Sequence, residues 1–228
     1  MTTSSLADLF HVDAFTTVPF AGNPAGVVVL QAPAPEPWMQ AVAAELNLSE
    51  TAFVVASAAG FAIRWFTPAV EVELCGHATL AAAHVLWTER RRDVAASITF
   101  DSASGPLHCT RSADGAVRLD FPIDRPTTCD PPARLIEALG ARVIEVARGR
   151  FDYLVRVDDE ATVRGLRPDL AELAVIDARG VCVTVACRRR TSHQCTPLRF
   201  GKDDGCGDPG LRHRRGEIPP ISASARRF

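Results

Sequence analysis

The chain has 228 residues, 47% hydrophobic and 23% charged, the balance of a globular protein with a substantial core and room for one large domain or two small ones. A formal net charge of −2 gives no electrostatic footprint for nucleic acid or an anionic membrane, and no apolar run approaches the ~20 residues of a transmembrane helix. Seven irregularly spaced cysteines, and a start without a basic stretch followed by an apolar one, point to reduced thiols in a cytoplasmic protein rather than a disulfide framework.

In chain order, residues 10–15 and 25–30 are short β-rich runs. Between them Phe20-Ala21-Gly22-Asn23-Pro24 places Gly, Asn and Pro where turn geometry rewards them. A proline-rich loop (Pro33, Pro35, Pro37) leads to a helix expected over residues 38–46, where Met39, Val42, Ala43 and Leu46 share one apolar face. Residues 51–56 and 61–66 read as a strand pair joined around Gly60. The segment from Cys75-Gly76-His77 to Trp87 is a helix apolar on nearly every side, so it is expected at the centre of its domain. Arg90-Arg91-Arg92 beyond it suits the negative end of the helix dipole. Strands over 97–101, 105–110 and 116–121 follow, which implies a curled sheet wrapped around that one helix.

Residues 122–132 hold four prolines and read as a link. The second half then shows a helix over 133–139, strands over 143–147 and 152–157, a helix over 168–173 and a strand over 180–186. These repeat the element types of the first half without clear sequence identity, and the series stops where a second buried helix is due. The expected fold class is therefore α/β (α+β), two similar halves with the second incomplete. The first domain is expected over 1–121, a partial second over 133–187, and a basic tail over 188–228. That tail carries nine Arg and one Lys against three Asp and one Glu, a net +6 beside a body of −8. Only ten of its 41 residues are hydrophobic, too few to offset its ordering entropy. It reads either as a disordered tail or as the product of a coding-frame change near Cys187.

Two places carry candidate chemistry. Glu50, at a helix-to-strand junction between Leu48 and Phe53, is a carboxyl in apolar surroundings, which disfavour the charged form and suit it to proton transfer. The plainer alternative is an exposed loop carboxylate, with Ser49-Glu50 as ordinary capping chemistry. Cys75-Gly76-His77 opens the buried helix, where unpaired amides and the dipole favour an anion. Gly76 permits close approach of a ligand, and His77 is placed to donate to it or exchange a proton with it. The alternative is a capping histidine with no ligand; His84, two turns on, reads as a packed or surface residue.

Phe20-Ala21-Gly22-Asn23-Pro24, Asn47-Leu48-Ser49-Glu50-Thr51-Ala52-Phe53, Arg64-Trp65-Phe66-Thr67-Pro68 and Leu74-Cys75-Gly76-His77-Ala78-Thr79 together resemble, in order and spacing, the motif series of the PhzF family. The likeness continues more weakly through Ser104-Gly105-Pro106-Leu107, Asp152-Tyr153-Leu154-Val155 and Gly180-Val181-Cys182-Val183-Thr184, covering about residues 9–187. The resemblance implies two pseudo-symmetric halves of the diaminopimelate epimerase type with a site in the cleft between them. It also implies a cofactor-free isomerase, usually a homodimer, acting on a small carboxylated ring. By the same resemblance Glu50 matches the proton-shuttling glutamate, His77 the histidine at the helix start, and Asp208 of Asp208-Pro209-Gly210 the acidic residue of the second half. Asn23, Cys75 and Gly76 fall on the substrate-binding side. The pattern collapses after Val185, which favours the frame change.

Two other classes remain. A two-thiol racemase would use Cys75 with Cys206 as its partner, and a non-enzymatic binding module would present the basic tail to acidic partners. Cys182, Cys187, His193, Cys195 and Cys206 cluster in sequence without zinc-type spacing, so no metal is expected. No phosphate loop, nucleophile elbow or dinucleotide fingerprint is present, so no cofactor is expected.

Overall fold

A computed structural model describes residues 7–18, 20–89, 97–113, 115–185, 198–201 and 226–227. The chain divides into two units, residues 1–122 with 215–228 and residues 123–214.

In the first unit β1 (Asp8–Ala14) lies antiparallel to β2 (Asn23–Leu30), and β2 runs parallel to β3 (Glu50–Ser57) after a crossover through α1 (Glu36–Leu46). β3 returns antiparallel into β4 (Gly60–Phe66), which also carries the short β5 (Glu71–Val72). The buried helix α2 (Gly76–Thr88) then connects to β6 (Ile98–Ser102), parallel to β4, and antiparallel β7 (Gly105–Arg111) and β8 (Val117–Asp120) close the series.

Side chains alternate along each strand, so each face of the sheet collects every second residue. One face gives Phe10, Val12, Ala25, Val27, Ala52, Val54, Ile63, Trp65, Ile98, Phe100, Leu107, Cys109 and Val117, all buried in one cluster with α2. Strands from both ends of the sheet reach this one helix, so the sheet curls around it. That is why α2 can be apolar on all sides: ten of its residues are buried, among them Ala78, Leu80, Ala82 and Leu86. The opposite face gives Val28, Phe53 and Phe66, which pack on Met39 and Ala43 of α1. Arg64 binds Glu71 and Glu36 at 2.5–2.7 Å and lies 5.1 Å from the Phe66 ring centre, tying α1, β4 and β5 together.

The second unit orders its sheet β13-β12-β11-β10-β9, from β9 (Thr127–Thr128), β10 (Val143–Arg148), β11 (Asp152–Val157), β12 (Gly180–Val185) and β13 (Leu198–Gly201). Its helices are α3 (Leu135–Leu139), α4 (Glu160–Gly165) and α5 (Leu170–Ala174). Its own core includes Leu135, Leu139, Val155, Val157, Leu173 and Val183. β10 to β13 pair antiparallel, parallel and antiparallel in turn, the same series as β1 to β4, again with helices in the parallel crossover. The repeat is one of topology. Among the described residues of this unit the helices have five or six residues, with no counterpart of the 13-residue α2. The architecture is a mixed α+β fold with a curled sheet, as the sequence leads one to expect.

Several elements differ from the sequence expectation. α1 starts at Glu36 rather than 38, with Pro35 at the N-cap and Pro37 inside its first turn, and it ends at Asn47 in the left-handed conformation. β5 and β9 are two-residue strands, too short for any periodicity to show. α4 was not anticipated; its signal is Asp159, whose carboxylate accepts from the Thr162 amide as an N-cap. β13 and a two-residue β14 (Arg226–Arg227), which pairs with β1, fall inside the segment expected to be a disordered or frame-changed basic tail. The arginine runs at 90–92, 188–190 and 212–216 lie outside the described residues. Among the described residues no helix is long and apolar enough to cross a membrane, and Cys75, Cys109, Cys129 and Cys182 are not joined in disulfides.

Candidate active site

Parallel pairing of β2 with β3 sets Ala25 beside Glu50, so Asn23-Pro24 and Ser49-Glu50 enter the sheet side by side. Glu50 shares the parity of Ala52 and Val54, the face that packs on α2, and its side chain is therefore directed at the helix. There it meets His77: Oε2 of Glu50 lies 3.4 Å from Nε2 of His77. Both residues are buried, at 7% and 4% exposure. A carboxylate is seldom buried unless it is paired, and His77 is the pairing group.

Ser49 joins them. Its Oγ is 3.1 Å from the Pro24 carbonyl, 3.2 Å from His77 Nε2 and 3.5 Å from Asn23 Oδ1. A hydroxyl has one proton to give, and the Pro24 carbonyl is the nearest pure acceptor. Ser49 Oγ therefore accepts at Nε2, so that His77 in its neutral form carries its proton on Nε2, shared between Ser49 and Glu50. Nδ1 is left as the acceptor facing the Cys75 thiol, 3.5 Å away. This tautomer follows from the hydrogen-bond network. The imidazole thus stands between a thiol on one nitrogen and a carboxylate on the other.

α2 supplies the remaining feature. Cys75 is its N-cap with extended backbone, and no side chain caps the first turn. The first amides, beginning at Gly76, carry the positive end of the helix dipole. Thr79 Oγ1 donates to the Cys75 carbonyl at 2.5 Å, which fixes the cap residue against the next turn. A backbone donor set of this kind suits a carboxylate or a developing oxyanion.

Of the residues singled out from sequence, Asn23, Glu50, Cys75, Gly76 and His77 converge at this one end of the first unit. Glu50 is buried rather than an exposed loop residue, so the plainer reading of that position is set aside. Asp208 and Cys206 lie outside the described residues. From sequence, Ser49 enters only as part of a motif and, in the plainer alternative for Glu50, as capping chemistry; its contact with His77 crosses 28 positions and has no local signature. From sequence, metal ligands are weighed only among Cys182, Cys187, His193, Cys195 and Cys206, whereas one donor atom each from Glu50, Cys75 and His77 lie within 4.8 Å of one another.

Known proteins resemble this chain in sequence and in fold. The family model described as phenazine biosynthesis-like protein matches residues 12–199, twelve residues past the point where the motif resemblance was placed to end. An uncharacterized isomerase of Halalkalibacterium halodurans is 45% identical over 177 residues, 77% of this chain and 66% of that protein. A second, from Pseudomonas aeruginosa, is 48% identical over 181 residues, 79% of this chain and 69% of that protein. The chain thus spans about two thirds of the length of these relatives. The crystal structure of an Enterococcus faecalis protein of the PhzF family superposes with a TM-score of 0.76 at 38% identity, covering 90% of this chain and 78% of that one. With the curled sheet, the buried helix and the match over most of its length, the chain belongs to the PhzC-PhzF family of phenazine biosynthesis-like proteins.

Proposed function

We propose that the protein is a cofactor-independent isomerase that moves a proton, and with it a double bond, on a small carboxylated ring. The supporting observation is the buried contact between Glu50 and His77 at 3.4 Å. Glu50, the acceptor of the Nε2 proton, is the base that removes a proton from an activated carbon and returns it elsewhere. His77 holds the carboxylate in place and steadies its charge. The amides at the start of α2 receive the substrate carboxylate and the charge that develops as the double bond shifts. The family resemblance extends the reading to a homodimer and to Asp208 as a second acidic group. It also supports a frame change near Cys187 that weakens activity; a restored frame with no better family match would remove that last element.

Incubation of candidate ring carboxylates in deuterated water tests the assignment. Wild type incorporates deuterium at the isomerised carbon, and Glu50→Gln lowers the rate by about 100-fold or more, the scale of a lost general base. Equal incorporation by both proteins would falsify the role of Glu50. A second reading, a thiol-based racemase, is favoured by the Cys75 thiol lying 3.5 Å from His77 Nδ1. Alkylation of Cys75 separates the two: under the thiol mechanism turnover is lost with the thiol, and under the carboxylate mechanism turnover survives modification of Cys75 and falls with Glu50→Gln.

A further inference from the structure

The three buried side chains at the start of α2 offer one sulfur, one nitrogen and one oxygen donor, with exposures of 5%, 4% and 7% for Cys75, His77 and Glu50. One ligand atom from each lies within 4.8 Å of the others. Tetrahedral coordination with bonds of about 2.0–2.3 Å sets ligand atoms about 3.3–3.7 Å apart. Cys75 Sγ and His77 Nδ1 already stand at 3.5 Å. A cation on Nδ1 therefore takes the Cys75 sulfur with little movement. The Glu50 carboxylate stands 3.4 Å from the other ring nitrogen, within the 4.8 Å cluster, and would have to turn about its side-chain bonds to complete the set. The mixed set favours a thiophilic divalent ion such as Zn²⁺ or Cd²⁺ over Mg²⁺ or Ca²⁺, which call for oxygen ligands.

We infer that this cluster is a binding site for a thiophilic divalent cation, held by Cys75, His77 and Glu50 with a fourth position left to water. The charge balance is favourable in a buried place: the ion displaces the Cys75 thiol proton, and the thiolate and the Glu50 carboxylate together neutralise its two positive charges. One proton is released per ion bound. Binding occupies the carboxylate and the imidazole at once, so the cation switches off the proton transfer and a chelator restores it. That regulatory consequence, though not the binding itself, rests on the isomerase reading above.

The test uses the full chain, stripped with a chelator and titrated with Cd²⁺ and Co²⁺ in the absence of substrate. Charge-transfer absorption reports thiolate ligation, and calorimetry gives stoichiometry and affinity. Wild type is expected to bind one equivalent more than Cys75→Ala, with a matching excess of thiolate absorption. Glu50→Gln is expected to keep the absorption and bind about 10- to 100-fold more weakly, the scale of a weakened ligand set. Equal stoichiometry and absorption in wild type and Cys75→Ala overturn the site. An unchanged affinity in Glu50→Gln overturns it as well, which keeps the test decisive if Cys75→Ala does not fold. A cation bound as described in a chain that exchanges no substrate proton refutes the isomerase reading alone. Proton exchange that continues in excess Cd²⁺, with no thiolate absorption, refutes the cation site alone.

Discussion

Ser49 has one hydroxyl proton and three partners in reach, and that shortage assigns the protons of the whole cluster. With its proton on the Pro24 carbonyl, the hydroxyl orients His77, and His77 in turn presents opposite nitrogens to Cys75 and Glu50. A second thiol shows the contrasting case. Cys109 faces the α2 cluster at 0% exposure, and burial, aided by Asp120, pushes its thiol above the ordinary value near 9.0 to about 12. The folded state therefore holds this proton more tightly than the unfolded chain does. Its contribution to stability is intact below pH 9 and is lost as pH rises from 9 toward 12. Denaturant titrations across it should show stability falling in wild type and a flatter dependence in Cys109→Ala. Parallel curves for the two proteins would place the alkaline sensitivity elsewhere.

At the scale of elements, the site is positioned by how closely β2 and β3 approach. Gly26 pairs with Thr51, one residue beyond Glu50, and a Cβ built on Gly26 would lie 2.8 Å from Thr51 Oγ1, 3.0 Å from its Cγ2 and 3.2 Å from Leu46 Cδ1. Thr51 is fully buried and cannot swing outward. Gly26→Ala should thus destabilise the protein by about 1–3 kcal/mol, the usual cost of overpacking. It should also shift Glu50 and slow proton exchange before it unfolds the chain. Urea denaturation and deuterium incorporation on the same variant check both; full stability would mean that β3 yields without strain. α1 and α2 show how differently a helix can be read. The apolar face of α1 is visible in sequence because Met39 and Ala43 recur at helical spacing and are buried. α2 has no such stripe, and the lack of one is itself the signal for a helix enclosed on all sides.

For the molecule as a whole, the α2 core of the first unit and the core of the second share no residue. Leu80 lies at the centre of the first and Leu139 in the second, with exposures of 0% and 1%. Leu80→Ala and Leu139→Ala should each cost about 2–5 kcal/mol through lost burial and the cavity left behind. Hydrogen exchange followed by mass spectrometry should show Leu80→Ala loosening the strands of residues 8–120, and Leu139→Ala loosening those of residues 127–185. Loss of protection spread evenly over both units by either change would mean that the two cores open together. The topological repeat, β1 to β4 against β10 to β13, belongs to this scale too. Strand pairing records it although the residues do not, because many apolar sequences satisfy the same pleat and register.

A curled sheet around one enclosed helix, a turn between the first two strands, and the candidacy of Glu50 and His77 were all legible in the linear chain. Each depends on local chemistry: periodicity, turn residues, or a functional group at the start of a helix. The proton positions on Ser49 and His77, the burial of Glu50, and the meeting of carboxylate, imidazole and thiol were decided only by the tertiary structure. Ser49 and His77 are 28 positions apart. Parallel pairing of β2 with β3, and the seating of α2 against their inner face, bring such distant groups together. No local rule relates residues that become neighbours only once the sheet has curled.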